Sequence, residues 1–246
     1  MICTSCGAAQ LAAARRCPKC FSWGSLSATW APSATTSGAT STDQDPPPAP
    51  ARMATGIEWL DDLLDGGSAV GCSYLLAGPP GAGKSTLLTA IGAGMAARSS
   101  VLLATAEEAK GPVMRRAHRI GATSPSLYVD AYDGGSLGAL LEDADPHGAL
   151  LVDSIQGFAG DRLGLIRAAC KELQQWARPD RVVWILGHVT SDGSIAGPRT
   201  LEHDVDGVLY LGADRVLTIH KHREGRAPVS VLLRMTATGL TYAGSR

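Results

Sequence analysis

Gly78, Pro79, Pro80, Gly81, Ala82, Gly83, Lys84 and Ser85 form the stretch that decides how this sequence is read. It fits G-x-x-x-x-G-K-[ST], follows a short apolar run at 72–77 and precedes a segment of helical spacing over 84–98. Glycines let successive backbone N–H groups turn toward an anion, and the helix that follows adds its positive N-terminal end. Lys84 is placed to reach the β- and γ-phosphates, the Ser85 hydroxyl to coordinate Mg2+, and Thr86 to complete the cradle. The ligand implied is a nucleotide.

Outward from this loop, apolar runs recur at 101–104, 127–131, 149–153 and 181–186, with a second helical segment at 163–177. Continuous apolar runs suit strands buried on both faces, and their alternation with helices argues for an α/β fold around a mainly parallel sheet. Runs at 207–212, 215–220 and 228–235 follow with no helix between them, which reads as an antiparallel extension. Asp153 ends an apolar strand, where a carboxylate can hold Mg2+ through water. Glu107 and Glu108 follow the 101–104 run at the carboxyl edge, where parallel sheets keep their ligands. Glu107 is the preferred base for orienting water; the alternative is a pair of surface carboxylates at a helix start.

The chain has 246 residues, 45% hydrophobic and 18% charged, with a net charge of −1. Such a composition can build a core, and it lacks the global basicity of a protein that coats DNA. No apolar run of spanning length occurs, and MICTSCG shows no leader pattern, so a cytoplasmic protein without a membrane partner is expected. Residues 31–50 contain no large aliphatic side chain and include Pro46, Pro47 and Pro48, the composition of a flexible linker. Three regions result: a module at 1–30, a linker at 31–50 and a catalytic domain at 51–246.

Cys3 and Cys6, then Cys17 and Cys20, form two C-x-x-C pairs ten residues apart. Two such knuckles present four thiolates to one tetrahedral Zn2+. Disulfides belong to oxidising compartments, and a redox pair expects a thioredoxin-like context that is absent. With so little apolar content in 1–30, zinc is expected to drive the folding of the module.

These motifs resemble the bacterial RadA (Sms) DNA-repair ATPases of the RecA superfamily. The resemblance runs from the cysteine pairs and Trp23 through Thr55 to Asp61, the phosphate loop, Glu107 and Glu108, and Val152 to Gln156. It continues through Gly187 to Thr190, Gly193 to Arg199 and Leu201 to Tyr210. It implies a RecA-like core, ATP hydrolysed between subunits of a hexameric ring or filament, and single-stranded or branched DNA as partner. It also implies a replication or recombination protein as a partner of the zinc module. Carried over by position, His188 would sense the γ-phosphate and pass its state to the loop 190–206, while Ser154 and Gln156 would lie beside the metal strand. Lys221 and Arg223 match the cations of the family's Lys-Asn-Arg-Phe-Gly signature, here Lys221 to Gly225, and would act in trans.

This chain departs from the family pattern at three places. Family members usually continue past the point matching Arg246 into a Lon-protease-like domain. The segment after Gln156 is short, and the 190–206 loop sets Arg199 against Asp192, Glu202, Asp204 and Asp206. Few cations predict weak or salt-sensitive DNA binding. The leading expectation is a DNA-stimulated ATPase that remodels recombination intermediates. The alternative is a RecA-fold regulatory ATPase that controls a protein partner without DNA. Cys72, Cys170, Trp176 and Trp184 read as packing residues.

Overall fold

The computed structural model describes residues 2–3, 20, 26–27, 45–46, 48–132, 136–160, 162–188 and 201–245. The chain divides into two compact units, Met1–Pro48 and Ala49–Arg246. In the first, β1 (Ile2–Cys3) pairs antiparallel with β2 (Leu26–Ser27). Cys3 Sγ lies 3.6 Å from Cys20 Sγ, whereas Cys6, Cys17 and Trp23 fall outside the described residues.

The second unit opens with β3 (Arg52–Met53), α1 (Glu58–Leu63) and β4 (Ser68–Ala69), the two strands pairing with each other. Strand–helix alternation follows through β5 (Ser73–Gly78), α2 (Lys84–Met95), β6 (Val101–Thr105), α3 (Lys110–Arg119), β7 (Leu127–Ala131), α4 (Leu137–Ala144) and β8 (Ala149–Asp153). Next come α5 (Ile155–Ala159), α6 (Leu163–Ala177), β9 (Val182–His188) and a 3-10 turn at Leu201–His203. Strands β10 (Gly207–Leu211), β11 (Val216–His222), β12 (Val229–Thr236) and β13 (Gly239–Ser245) close the chain.

Nine strands form one sheet in the order β13-β12-β11-β10-β5-β9-β8-β6-β7. The phosphate-loop strand β5 is central and parallel to both neighbours. Its side chains alternate between two cores. Tyr74 and Leu76 pack with α1 and α2, while Leu75 and Ala77 pack with the α4–α6 side. Burial on both faces is the reason these runs are continuously apolar. Tyr74 stacks on Trp184 with centroids 4.8 Å apart, and the indole N–H donates to Ser68 Oγ at 3.0 Å.

The antiparallel extension comprises β11 to β13. One correction concerns β10. Its run at 207–212 was read as antiparallel, but it pairs parallel to β5 and is therefore the last strand of the parallel set. Its partner lies some 130 residues earlier, beyond the reach of local pattern. Strand β13 has no counterpart among the apolar runs of the sequence, because Leu240 is only partly buried and Tyr242 is exposed. Among the described residues, no helix is long and apolar enough to cross a membrane.

Candidate nucleotide site

Strand β5 delivers Gly78 to the carboxyl edge of the sheet. A Cβ there would meet Leu211 O at 2.1 Å, so only glycine lets β10 close against the loop. Gly83, at φ +107°, turns the chain into α2, whose start has no side-chain cap. The first-turn N–H groups of α2 are therefore available to an anion. Lys84 is buried, and its Nζ donates to Gly78 O at 2.8 Å and Pro79 O at 3.0 Å. Burial lowers its pKa, opposed by the charges of Asp153 and Glu107. Thr86 lies beside the β12–β13 turn, where a Cβ on Gly239 would sit 3.7 Å from its Cγ2.

Asp153, at the end of β8, is 4% exposed. Burial raises its pKa, a hydrogen bond from Ser85 and the charge of Arg116 lower it, and Glu107 and Glu108 raise it further. Ser85 and Asp153 are thus in contact, and the buried carboxylate is short of positive charge. A divalent cation between them would supply that charge, so the donor set fits Mg2+.

Beyond β6, Thr105 Oγ1 accepts the backbone N–H groups of Glu107 at 3.4 Å and Glu108 at 3.0 Å, turning the chain at the sheet edge. The two carboxylates then diverge. Exposed Glu107 accepts a hydrogen bond from Ser154 Oγ. Glu108 is gripped by Arg116, with Nη2 at 2.5 Å from Oε2. The Gln156 amide is buried, and neither of its atoms has a hydrogen-bond partner among the described residues. His188 is the register partner of Gly78, which places its backbone beside the phosphate loop. The loop 189–200 that carries Thr190 and Arg199 lies outside the described residues.

Lys221 and Arg223 lie elsewhere. Lys221 pairs with Val208, which pairs with Leu75, and the Arg223 N–H donates to Asp206 O beside Ser73. At about 3.3 Å per residue, the level of Ser73 is roughly 16 Å below Gly78. Neither cation serves the phosphate loop of its own chain. Lys221 Nζ donates to Glu202 O and to Val205 O at 2.5 Å, and Arg223 Nη1 lies 3.0 Å from Asp206 Oδ1. Asp206 also accepts from Ser73 N, Ser73 Oγ and Gln174. Burial opposes its charge, yet these bonds and Arg223 hold its carboxyl below the usual range.

Two cations escaped the sequence reading. Arg116 belongs to no motif, and nothing in its local sequence marks it. Arg215, at φ +66° in the β10–β11 turn, donates from Nη1 to Gly81 O at 3.1 Å and to Ala82 O. It braces the loop through two carbonyls, so the loop's N–H groups stay available to a phosphate. No local spacing reveals a contact between residues more than 130 positions apart.

The KaiC ATPase family model matches residues 53–128. The fold is shared with a KaiC-like protein from the archaeon Pyrococcus horikoshii, at a TM-score of 0.66 and 20% identity, over 80% of this chain and all of that one. Fold and site together define a P-loop ATPase domain of the RecA and KaiC class. DNA repair protein RadA from Bacillus subtilis is 33% identical over 98% of this chain and 58% of its own length. The RadA proteins of Helicobacter pylori J99 and Campylobacter jejuni are each 36% identical, over 75% and 78% of this chain. The chain is thus similar to RadA proteins over three quarters or more of its own length. It spans about half the length of the curated relatives it matches, between 44% and 58% for these three.

Proposed function

We propose that this chain hydrolyses ATP with Mg2+ and couples hydrolysis to DNA, as the name of its RadA relatives suggests. The observation that carries the reading is the convergence of Lys84, Ser85, Asp153 and Glu107 at one sheet edge. Lys84 would leave the carbonyls of its own loop for the phosphate oxygens, exchanging neutral acceptors for charged ones. Ser85 and Asp153 would hold Mg2+, which neutralises charge developing on the phosphoryl group. Glu107, steadied by Ser154, would orient the attacking water.

Lys221 and Arg223 would complete a neighbouring chain's site within a ring or filament, since the register keeps them from their own. The acids counted against DNA binding are partly spent: Asp204 is bonded to Arg167 at 2.7 Å, and Asp206 to Arg223. That neutralisation favours the DNA reading over a regulatory ATPase without DNA. At the N-terminus, about 3.8 Å separates two thiolates on one tetrahedral zinc with bonds of about 2.3 Å, while a disulfide spans about 2.05 Å. The 3.6 Å between Cys3 and Cys20 lies near the zinc spacing and far from a disulfide, which supports zinc held with Cys6 and Cys17; the module so folded would serve as a docking element for a protein partner.

The test is the ATPase rate with and without single-stranded DNA at low salt. Stimulation that fades as salt rises is expected. Turnover indifferent to DNA at every salt would favour the regulatory reading.

A further inference from the structure

Arg116, the seventh residue of α3, is a largely enclosed cation beside the acids Glu108 and Asp153. Its side chain is 13% exposed. Nη2 holds both oxygens of Glu108. Nη1 is buried with no hydrogen-bond partner among the described residues, and it lies 3.9 Å from Asp153 Oδ2. A buried ionised donor without a partner is costly, and folded proteins keep few of them outside functional sites. Neutralising Glu108 alone would not require burying the second nitrogen. The group that Nη1 faces is the carboxylate assigned to Mg2+ above.

We propose that Arg116 is a positioning residue for the metal side of the nucleotide site. Glu108 fixes the plane of the guanidinium. The unused N–H then orients the Asp153 carboxylate, directly or through one water, toward Ser85. The same contact separates the tandem glutamates. Glu108 is committed to Arg116, which leaves Glu107 beside Ser154 as the residue for water. A guanidinium suits this role because its planar fork serves two acceptors at a fixed angle, which an ammonium cannot do. Groups that orient a metal's ligands typically change metal affinity about 10–100-fold when removed.

The proposal rests on the Mg2+–nucleotide reading, and binding tests it without turnover. Affinity for a fluorescent ADP analogue is measured in EDTA and across a Mg2+ titration, on the full chain carrying Arg116→Gln or Arg116→Lys. Positioning predicts that Arg116→Gln raises the Mg2+ midpoint about 10-fold, with affinity in EDTA close to wild type. Arg116→Lys, which keeps the charge and loses the fork, should raise it by a smaller factor, and it carries the test if the Gln variant fails to fold. Charge alone acts in the opposite sense, because removing a cation beside the metal's carboxylate would tighten Mg2+. A lowered midpoint, or an unmoved one with only a lower melting temperature, overturns the proposal. Wild-type protein that binds no nucleotide, or binds it without regard to Mg2+, overturns the nucleotide reading and Arg116 with it.

Discussion

Lys84 holds its ammonium against two carbonyls of its own loop, and burial has already lowered its pKa. An ammonium so poorly solvated gains most from an incoming phosphate, so Lys84→Ala should cut ATP turnover about 10²-fold or more, as phosphate release would show. Asp153→Asn should lower the rate through loss of Mg2+, so its nucleotide affinity in EDTA should stay near wild type. His222 makes a different prediction. Burial lowers its pKa from 6.5, and Nδ1 has no partner among the described residues. A histidine whose folded pKa is depressed adds stability that is present above the unfolded value and lost as pH falls. The melting temperature should therefore drop from about pH 7 to about pH 5, and less so in His222→Gln. An equal drop in both proteins would clear His222. Cys72 and Cys170 are buried, with thiols pushed up to about 11 and about 12, as inert core groups should be.

At the level of elements, the most demanding junction is that between β5, the loop and α2. A Cβ on Gly83 would meet Met235 Cε at 2.7 Å in a left-handed backbone, so Gly83→Ala should weaken nucleotide binding before it unfolds the domain. Arg215→Ala should weaken it less, because it frees two carbonyls and leaves the fold's core untouched; equal affinity would remove Arg215 from the account. Strand β11 explains why part of the site was not legible. Its register shifts between Val208 and Leu209, so Lys221 follows a bulge after Ile219. Leu217 and Ile219 face one core, yet two residues further on Lys221 faces the 201–206 segment and His222 takes the buried position. A bulge of one residue is invisible to strict alternation. The phosphate loop and Asp153 were legible because their chemistry is local to a strand end. Arg116 and Arg215 were not, since only tertiary packing brings them to carboxylates and carbonyls. If Arg223 acts across an interface, mixing Lys84→Ala with Arg223→Ala chains should restore ATPase above either alone. Such fingers contribute about 10³–10⁵ in rate.

Across the molecule, the parallel core and the antiparallel extension were readable from their apolar runs, whereas the parallel pairing of β10 with β5 and the existence of β13 were not. The N-terminal unit tests separately. Purified protein should carry one zinc per chain, and Cys17→Ser or Cys20→Ser should lower that stoichiometry; an unchanged zinc content would remove the metal from the account. Loss of zinc should leave nucleotide binding by the second unit intact, because each unit has its own internal contacts. The central claim is that the edge formed by Lys84, Asp153 and Glu107 hydrolyses ATP. The measurement that tests it most directly is Mg2+-dependent phosphate release by wild type and Glu107→Gln, with nucleotide affinity taken on the same samples. The account predicts near-equal affinity and a rate at least about 10²-fold lower in the variant. Equal rates, or a variant that no longer binds nucleotide, would contradict it.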